Sequence, residues 1–223
     1  MSVHLRLPDG DTAGQRNKRG AQQREELICA ALRIIARDGV SAVSHHSVTT
    51  EANAAAGAVI HHFGSRETLI EQTLEYLAHL CIERLRSDWP RFEPMADRPT
   101  RFADMLCTFF LDQLRTDRDL GIAALELQVA SAREPRLRSV FAEWGRGYAD
   151  ITEETLRALG SGDPRTDMAQ LVNVINGLLA GQLALPRRDF EHTIMRPAVR
   201  SIVHSMVLGP PPAPAPRFAG QCG

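Results

Sequence analysis

The chain has 223 residues, with 26 Lys+Arg against 27 Asp+Glu, a formal net charge of −1 and 43% apolar residues. That supplies one large core or two small ones and excludes a chain disordered throughout. A balanced total also excludes a protein that coats nucleic acid over its whole surface, but it leaves room for a local basic patch.

In chain order, residues 1–20 hold Pro, Gly, Asp and Thr with little apolar content and end in Arg16, Lys18 and Arg19, so a flexible arm is expected. Nearly everything from there to residue 208 reads as helix, because apolar residues recur at helical spacing and hairpin signals are missing. The first helix is expected over Gln22–Asp38, with Leu27, Ala31, Ile34 and Ile35 on one face and Gly39 as a left-handed stop. A short helix follows over His45–Ala52 with Ser44 as its N-cap, then Asn53, a residue that tolerates positive φ. A second short helix is expected over Ala55–His62, and Ser65 caps a long one that reaches Arg86 and breaks at Trp89-Pro90. The remaining helices are expected over Pro99–Thr116, Leu120–Arg133, Pro135–Leu159, Asp167–Leu185 and Asp189–Leu208, the last kinked or broken at Pro197. The Pro/Ala-rich stretch 209–223 reads as a disordered tail.

Two short helices around a tight turn, directly after a longer amphipathic helix, outline a helix-turn-helix whose second short helix enters the major groove. Residues 15–66 contain seven basic side chains (Arg16, Lys18, Arg19, Arg24, Arg33, Arg37, Arg66) and four acidic ones (Glu25, Glu26, Asp38, Glu51). The window is therefore +3 and the rest of the chain −4, a segregation in the direction DNA binding requires.

These residues resemble the tetracycline-repressor (TetR) family of bacterial transcription regulators. The resemblance is carried by His61-His62-Phe63-Gly64-Ser65-Arg66-Glu67, Ala30-Ala31, Ile35 and Gly39, and by Val48, Glu51-Ala52 and Gly57. It implies an all-α fold with an N-terminal three-helix DNA-binding domain over 21–67 and a helical ligand-binding and dimerisation domain over 68–208. The residues expected at DNA are Ser44, His45, His46, Thr49, Ala56, Gly57, Ala58, His61, His62 and Arg66. Departures from the family pattern are Asn53 at the turn, Ala55 and Ala56 at the start of the recognition helix, and Ile60 and His61 where tyrosines are usual. That helix offers few side chains for bidentate base contacts, so backbone N–H groups, His61 and thymine-methyl contacts from Ala56 and Ala58 are expected to carry readout.

The resemblance also implies a cavity for a small, largely apolar effector among the middle helices, for which Trp89, Phe102, Met105, Phe109, Glu126, Gln128, Trp144 and Tyr148 are the candidate lining. It implies a homodimer through the last two helices, which fits their excess of apolar surface; Leu171, Ile175, Leu178, Gly181, Val199, Ile202 and Met206 are the candidate interface. A two-fold dimer matches a palindromic operator.

Cys29, Cys81, Cys107 and Cys222 are far apart and form no C-x-x-C pair, so neither a disulfide framework nor a zinc knuckle is expected. No signal-peptide core and no run of about 18 apolar residues is found, so a cytoplasmic location without a membrane partner is expected. Neither H-E-x-x-H, G-x-S-x-G nor a phosphate loop occurs, so no enzyme, cofactor or metal is expected. Two other readings stay open: a helical ligand-binding protein whose helix-turn-helix has decayed, and a metal-dependent enzyme using the histidine pairs.

Overall fold

The computed structural model describes residues 12–93 and 98–208, so the stretch 209–223 and the first eleven residues of the expected arm lie outside it. Among the described residues the secondary structure is all helical. The helices are α1 (Thr12–Asp38), α2 (His45–Glu51), α3 (Ala58–Phe63), α4 (Arg66–Phe92), α5 (Pro99–Thr116), α6 (Arg118–Ser131), α7 (Pro135–Leu159), α8 (Pro164–Ala184) and α9 (Arg196–Leu208). A 3-10 turn, Val40–Ala42, follows α1, and a π-helical segment, Glu191–Met195, precedes α9.

Several boundaries differ from expectation for local reasons. Residues 12–20 are helix, not arm: Gly14 and Gly20 each cost a helix only about 1 kcal/mol, and the neighbouring Arg, Lys and Gln residues are good helix formers. Pro90 does not end α4, because one lost N–H bond near a C-terminus is tolerated for the last two residues. Helix α8 starts at Pro164, three residues early, with the Asp163 carboxylate accepting from the Thr166 amide at 3.2 Å. Pro197 falls in the first turn of α9, and the expected irregularity lies just before it, as the π-helical segment.

The described residues divide into two compact units, one made of those up to Cys81 with Gln113–Trp144 and the other of those from Ile82 to Asp112 with those from Gly145 onward. In the first, Leu27, Ile34, Ile35, Val48, Val59, Leu69, Leu74 and Leu127 are fully buried, and α6 packs along α1. This division does not follow a boundary at 67/68, because α6 belongs with the helices around α1. In the second, Leu85, Phe102, Leu106, Leu156, Met168, Leu171, Ile175 and Val199 form the core. Truncating a side chain of this kind to alanine typically costs about 2–5 kcal/mol.

Candidate functional site

The turn between α2 and α3 is built from local chemistry. Ser44 and Ser47 form a reciprocal cap: the Ser47 amide donates to Ser44 Oγ at 3.0 Å and the Ser44 amide to Ser47 Oγ at 2.9 Å. This satisfies two amides that the start of α2 would leave unpaired. After α2 the chain reverses at Asn53, whose φ of 49° makes it the one described non-glycine residue in the left-handed region. Gly57, at φ 91°, then starts α3, a position where any side chain would be strained. Because the left-handed residue is Gly57, α3 begins at Ala58 and is only six residues long.

Around the turn, charged side chains fix the helices to one another. Glu51 accepts from Arg33 Nε at 2.9 Å and from an Arg37 guanidinium nitrogen at 3.2 Å, which joins the end of α2 to α1. Both arginines hold the Glu51 carboxyl below the usual carboxylate range. From the first turn of α4, Arg66 donates through Nε to the Val43 carbonyl at 2.6 Å and through a terminal nitrogen to the Val40 carbonyl at 2.8 Å. Behind α3, His62 Nε2 meets Gln23 Oε1 at 3.0 Å, and the Arg24 guanidinium lies 5.4 Å from the Phe63 ring centre. Burial first, then the neighbouring His61 and Arg24, push the His62 imidazole pKa down, which favours its neutral form.

This geometry sorts the ten expected DNA residues. Ser44, His46, Ala56, Gly57 and His61 are exposed together on the helix-turn-helix. Thr49 and Ala58 are buried and are corrected to structural roles: Thr49 Oγ1 donates to the His45 carbonyl at 2.9 Å, and the late start of α3 turns Ala58 inward. His45 is half-buried with Nε2 enclosed and unpaired, His62 is occupied by Gln23, and Arg66 directs Nε and one terminal nitrogen to backbone carbonyls. Thr50, Asn53, Ala55 and Ile60 are exposed here as well without having been expected at DNA, although Asn53, Ala55 and Ile60 stand among the departures from the family pattern; Ile60 is 55% exposed. Thr50 was within reach, since it follows His46 by four positions on α2 and shares its face.

The expected effector lining divides between the units. Glu126, Gln128 and Trp144 belong to the first, where Glu126 is exposed and its carboxylate oxygen would meet a Cβ on Gly39 at 3.4 Å; it is corrected from a pocket residue to a neighbour of the α1 stop. Trp89, Phe102, Met105, Phe109 and Tyr148 are buried in the second unit. There Trp89 and Phe102 meet edge-on with ring centres 6.4 Å apart, as do Phe110 and Tyr148 at 6.0 Å. A cleft of about 460 Å³ in this unit is lined by Trp89, Glu93, Ile151, Glu154, Arg157, Asp150 and Glu153. It is polar, and Arg165 pairs with Asp150 at 2.7 Å and Glu153 at 2.9 Å, so Trp89 is the single expected pocket residue that reaches it.

The expected interface divides by burial. Leu171, Ile175 and Val199 are fully buried within the chain and are corrected from interface to core. Leu178, Ile202 and Met206 are half-exposed, Gly181 is exposed, and nothing lies within 4 Å of where a Cβ would stand on Gly177 or Gly181. Nearby, Leu185 is 75% exposed. Among the described residues no three His, Cys, Asp or Glu side chains converge as a metal site would require, and no helix is long and apolar enough to cross a membrane.

Comparison with known proteins accounts for this arrangement. Residues 27–73 match the family of bacterial regulatory proteins, tetR family, and residues 97–209 match the tetracyclin repressor-like C-terminal domain. The chain is 31% identical over 121 residues to the HTH-type transcriptional regulator CymR of Pseudomonas putida, covering 54% of this chain and 57% of that one. It is 29% identical over 168 residues to the HTH-type transcriptional regulator BetI of Burkholderia thailandensis, covering 73% and 83%. A third relative, the HTH-type nicotine-responsive transcriptional repressor HdnoR of Paenarthrobacter nicotinovorans, is 26% identical over 133 residues, covering 58% and 66%. The chain thus spans under two thirds of CymR and HdnoR and more of BetI. Among solved structures, the multidrug binding protein EbrR complexed with imidazole superposes with a TM-score of 0.63 at 26% identity, covering 87% of this chain and 98% of that one. A TetR-family member from Streptomyces coelicolor A3 gives 0.65 at 24% identity, covering 83% and 98%. With one family match over the helix-turn-helix and another over half the chain beyond it, the protein belongs to the TetR family of bacterial regulatory proteins.

Proposed function

We propose that the protein is a homodimeric, ligand-responsive transcription regulator, a repressor that leaves a palindromic operator when a small, largely apolar molecule binds. Residues 21–67 contact the operator, and residues 68–208 bind effector and dimerise. It acts by binding, in the cytoplasm, without cofactor or catalysis.

The observation that carries this reading is the exposed set Ser44, His46, Thr50, Asn53, Ala56, Gly57 and His61 on a helix-turn-helix held rigid by Glu51 and Arg66. Small residues at 54–57 let the backbone approach base edges, and the positive window from 15 to 66 favours phosphate. The half-exposed stripe of Leu178, Ile202 and Met206 beside the open Gly177 and Gly181 supports self-association by close helix approach. The likeness to the multidrug binding protein EbrR, complexed with imidazole, supports a small-molecule effector. Effector action is a population shift: binding favours a state whose two recognition helices are not set at the roughly 34–36 Å between successive major grooves.

Mobility shift on the DNA upstream of the gene, paired with gel filtration, tests this. His46→Ala and His61→Ala are expected to weaken the complex and leave the dimer intact. Unaltered binding by both places the DNA contacts elsewhere.

A further inference from the structure

Resting on the operator-binding reading, we infer that Ile60 reads the 5-methyl group of a thymine in the major groove and sets base preference at that position of each half-site. The stretch Ala54–Ile60 contains Ala54, Ala55, Ala56, Gly57, Ala58, Val59 and Ile60, so not one of its side chains donates or accepts a hydrogen bond. The donor and acceptor code of the bases is therefore closed to every side chain there. Of that stretch Ala58 and Val59 face inward, and Ala55, Ala56 and Gly57 are exposed but too short to reach far.

Ile60 is different: it projects from α3, and 55% of it remains in solvent. The other large exposed apolar side chains of this unit, Leu80 on α4 and Val129 on α6, lie outside the helix-turn-helix. A branched apolar side chain gains from a groove only by leaving water. Among the major-groove edges thymine alone carries an apolar group, while guanine, adenine and cytosine would lose water from polar atoms that Ile60 cannot pair. Its placement on the helix that enters the groove therefore selects thymine. The neighbouring small residues contribute by allowing α3 to sit close enough for that contact.

The test uses the full-length protein and a duplex enriched from a random pool. Each symmetric thymine pair is replaced in turn by deoxyuridine, which removes the methyl and leaves base pairing intact. One pair is expected to weaken wild-type binding about tenfold, near the value for two methyl groups withdrawn from apolar contact, and the others less than about twofold. Ile60→Ala, a change at an exposed site, is expected to bind the parent duplex more weakly and to be indifferent to uracil at that same pair. If no pair matters to the wild type, or if Ile60→Ala stays equally sensitive, the assignment is wrong. Unchanged affinity of Ile60→Ala for the parent duplex would mean that something other than DNA covers Ile60. A pool that yields no enriched duplex overturns the operator reading and this one together.

Discussion

The Arg66 guanidinium donates to the Val43 carbonyl at 2.6 Å, and so joins the first turn of α4 to the residue just before the Ser44 cap of α2. A second bond from the same fork reaches the Val40 carbonyl at 2.8 Å. A basic side chain at the edge of a DNA-binding domain invites a phosphate role, but Nε and one terminal nitrogen here already donate to backbone carbonyls. Arg66→Gln is therefore expected to weaken operator binding while leaving the slope of log affinity against log salt unchanged, and Arg66→Lys, which lacks the fork, is not expected to rescue it. A slope lowered by about one in Arg66→Gln, with full affinity in Arg66→Lys, would instead make Arg66 a phosphate contact.

Asp104 on α5 forms a two-pronged pair with Arg200 of α9, both distances 2.7 Å, and Arg196 adds a bond to the Asp104 carbonyl at 3.2 Å. The Arg200 bonds, then its charge and that of Arg196, outweigh partial burial and hold the Asp104 pKa below its ordinary value of 3.8. Its folded pKa is depressed, so the stability it contributes is full above that ordinary value and is lost as pH falls through the folded one. Asp104→Asn is expected to cost about 1–2 kcal/mol near pH 7 and much less near pH 2, read by denaturant titration.

His62 follows the same sign with a different window. Its folded pKa lies below the ordinary 6.5, so the neutral ring contributes stability above that value, lost as pH falls below it. Melting curves should show an acid-side loss of stability that begins near pH 6.5 and is smaller in His62→Gln, whose side chain can still meet Gln23.

The dimerisation stripe can be separated from the core. Leu178→Glu places a charge on the half-exposed face and is expected to give folded monomers by sedimentation. Val199→Asp, at a fully buried position, is expected to lose helical signal instead, because an unpaired buried carboxylate costs several kcal/mol. A Leu178→Glu dimer would put the interface elsewhere.

Close helix approach within the second unit gives another check. A Cβ on Gly147 of α7 would stand 2.5 Å from the Ile82 Cδ1 of α4. Gly147→Val should lower stability by about 1–3 kcal/mol, and pairing it with Ile82→Ala should recover part of that loss.

What the sequence discloses depends on how far apart the deciding partners are. Ser44 as a cap, Asn53 as the turn and the helix periods are set within four residues, and they are readable. The expected start of α3 at Ala55 moves to Ala58 because Gly57 takes a left-handed position, and that three-residue difference turns Ala58 inward and leaves Ile60 exposed. The bonds from Arg66 to backbone carbonyls are not legible in the sequence because those partners lie 23 and 26 positions away. Leu171, Ile175 and Val199 look the same in sequence whether they serve a core or an interface, since apolarity does not state which neighbour covers it. The effector lining suffered most: aromatic content located a core, but whether a core residue also faces a ligand is a tertiary property.

The central claim, a two-fold regulator reading DNA through this helix-turn-helix, is tested most directly by selecting bound duplexes from a random pool with the purified protein and footprinting the winner. The expected result is a palindrome whose half-sites are centred about 10–10.5 base pairs apart or a multiple of that spacing, bound by a dimer with affinity that falls steeply with salt. A pool that shows no enriched sequence, or a single asymmetric site occupied by one protomer, would contradict it.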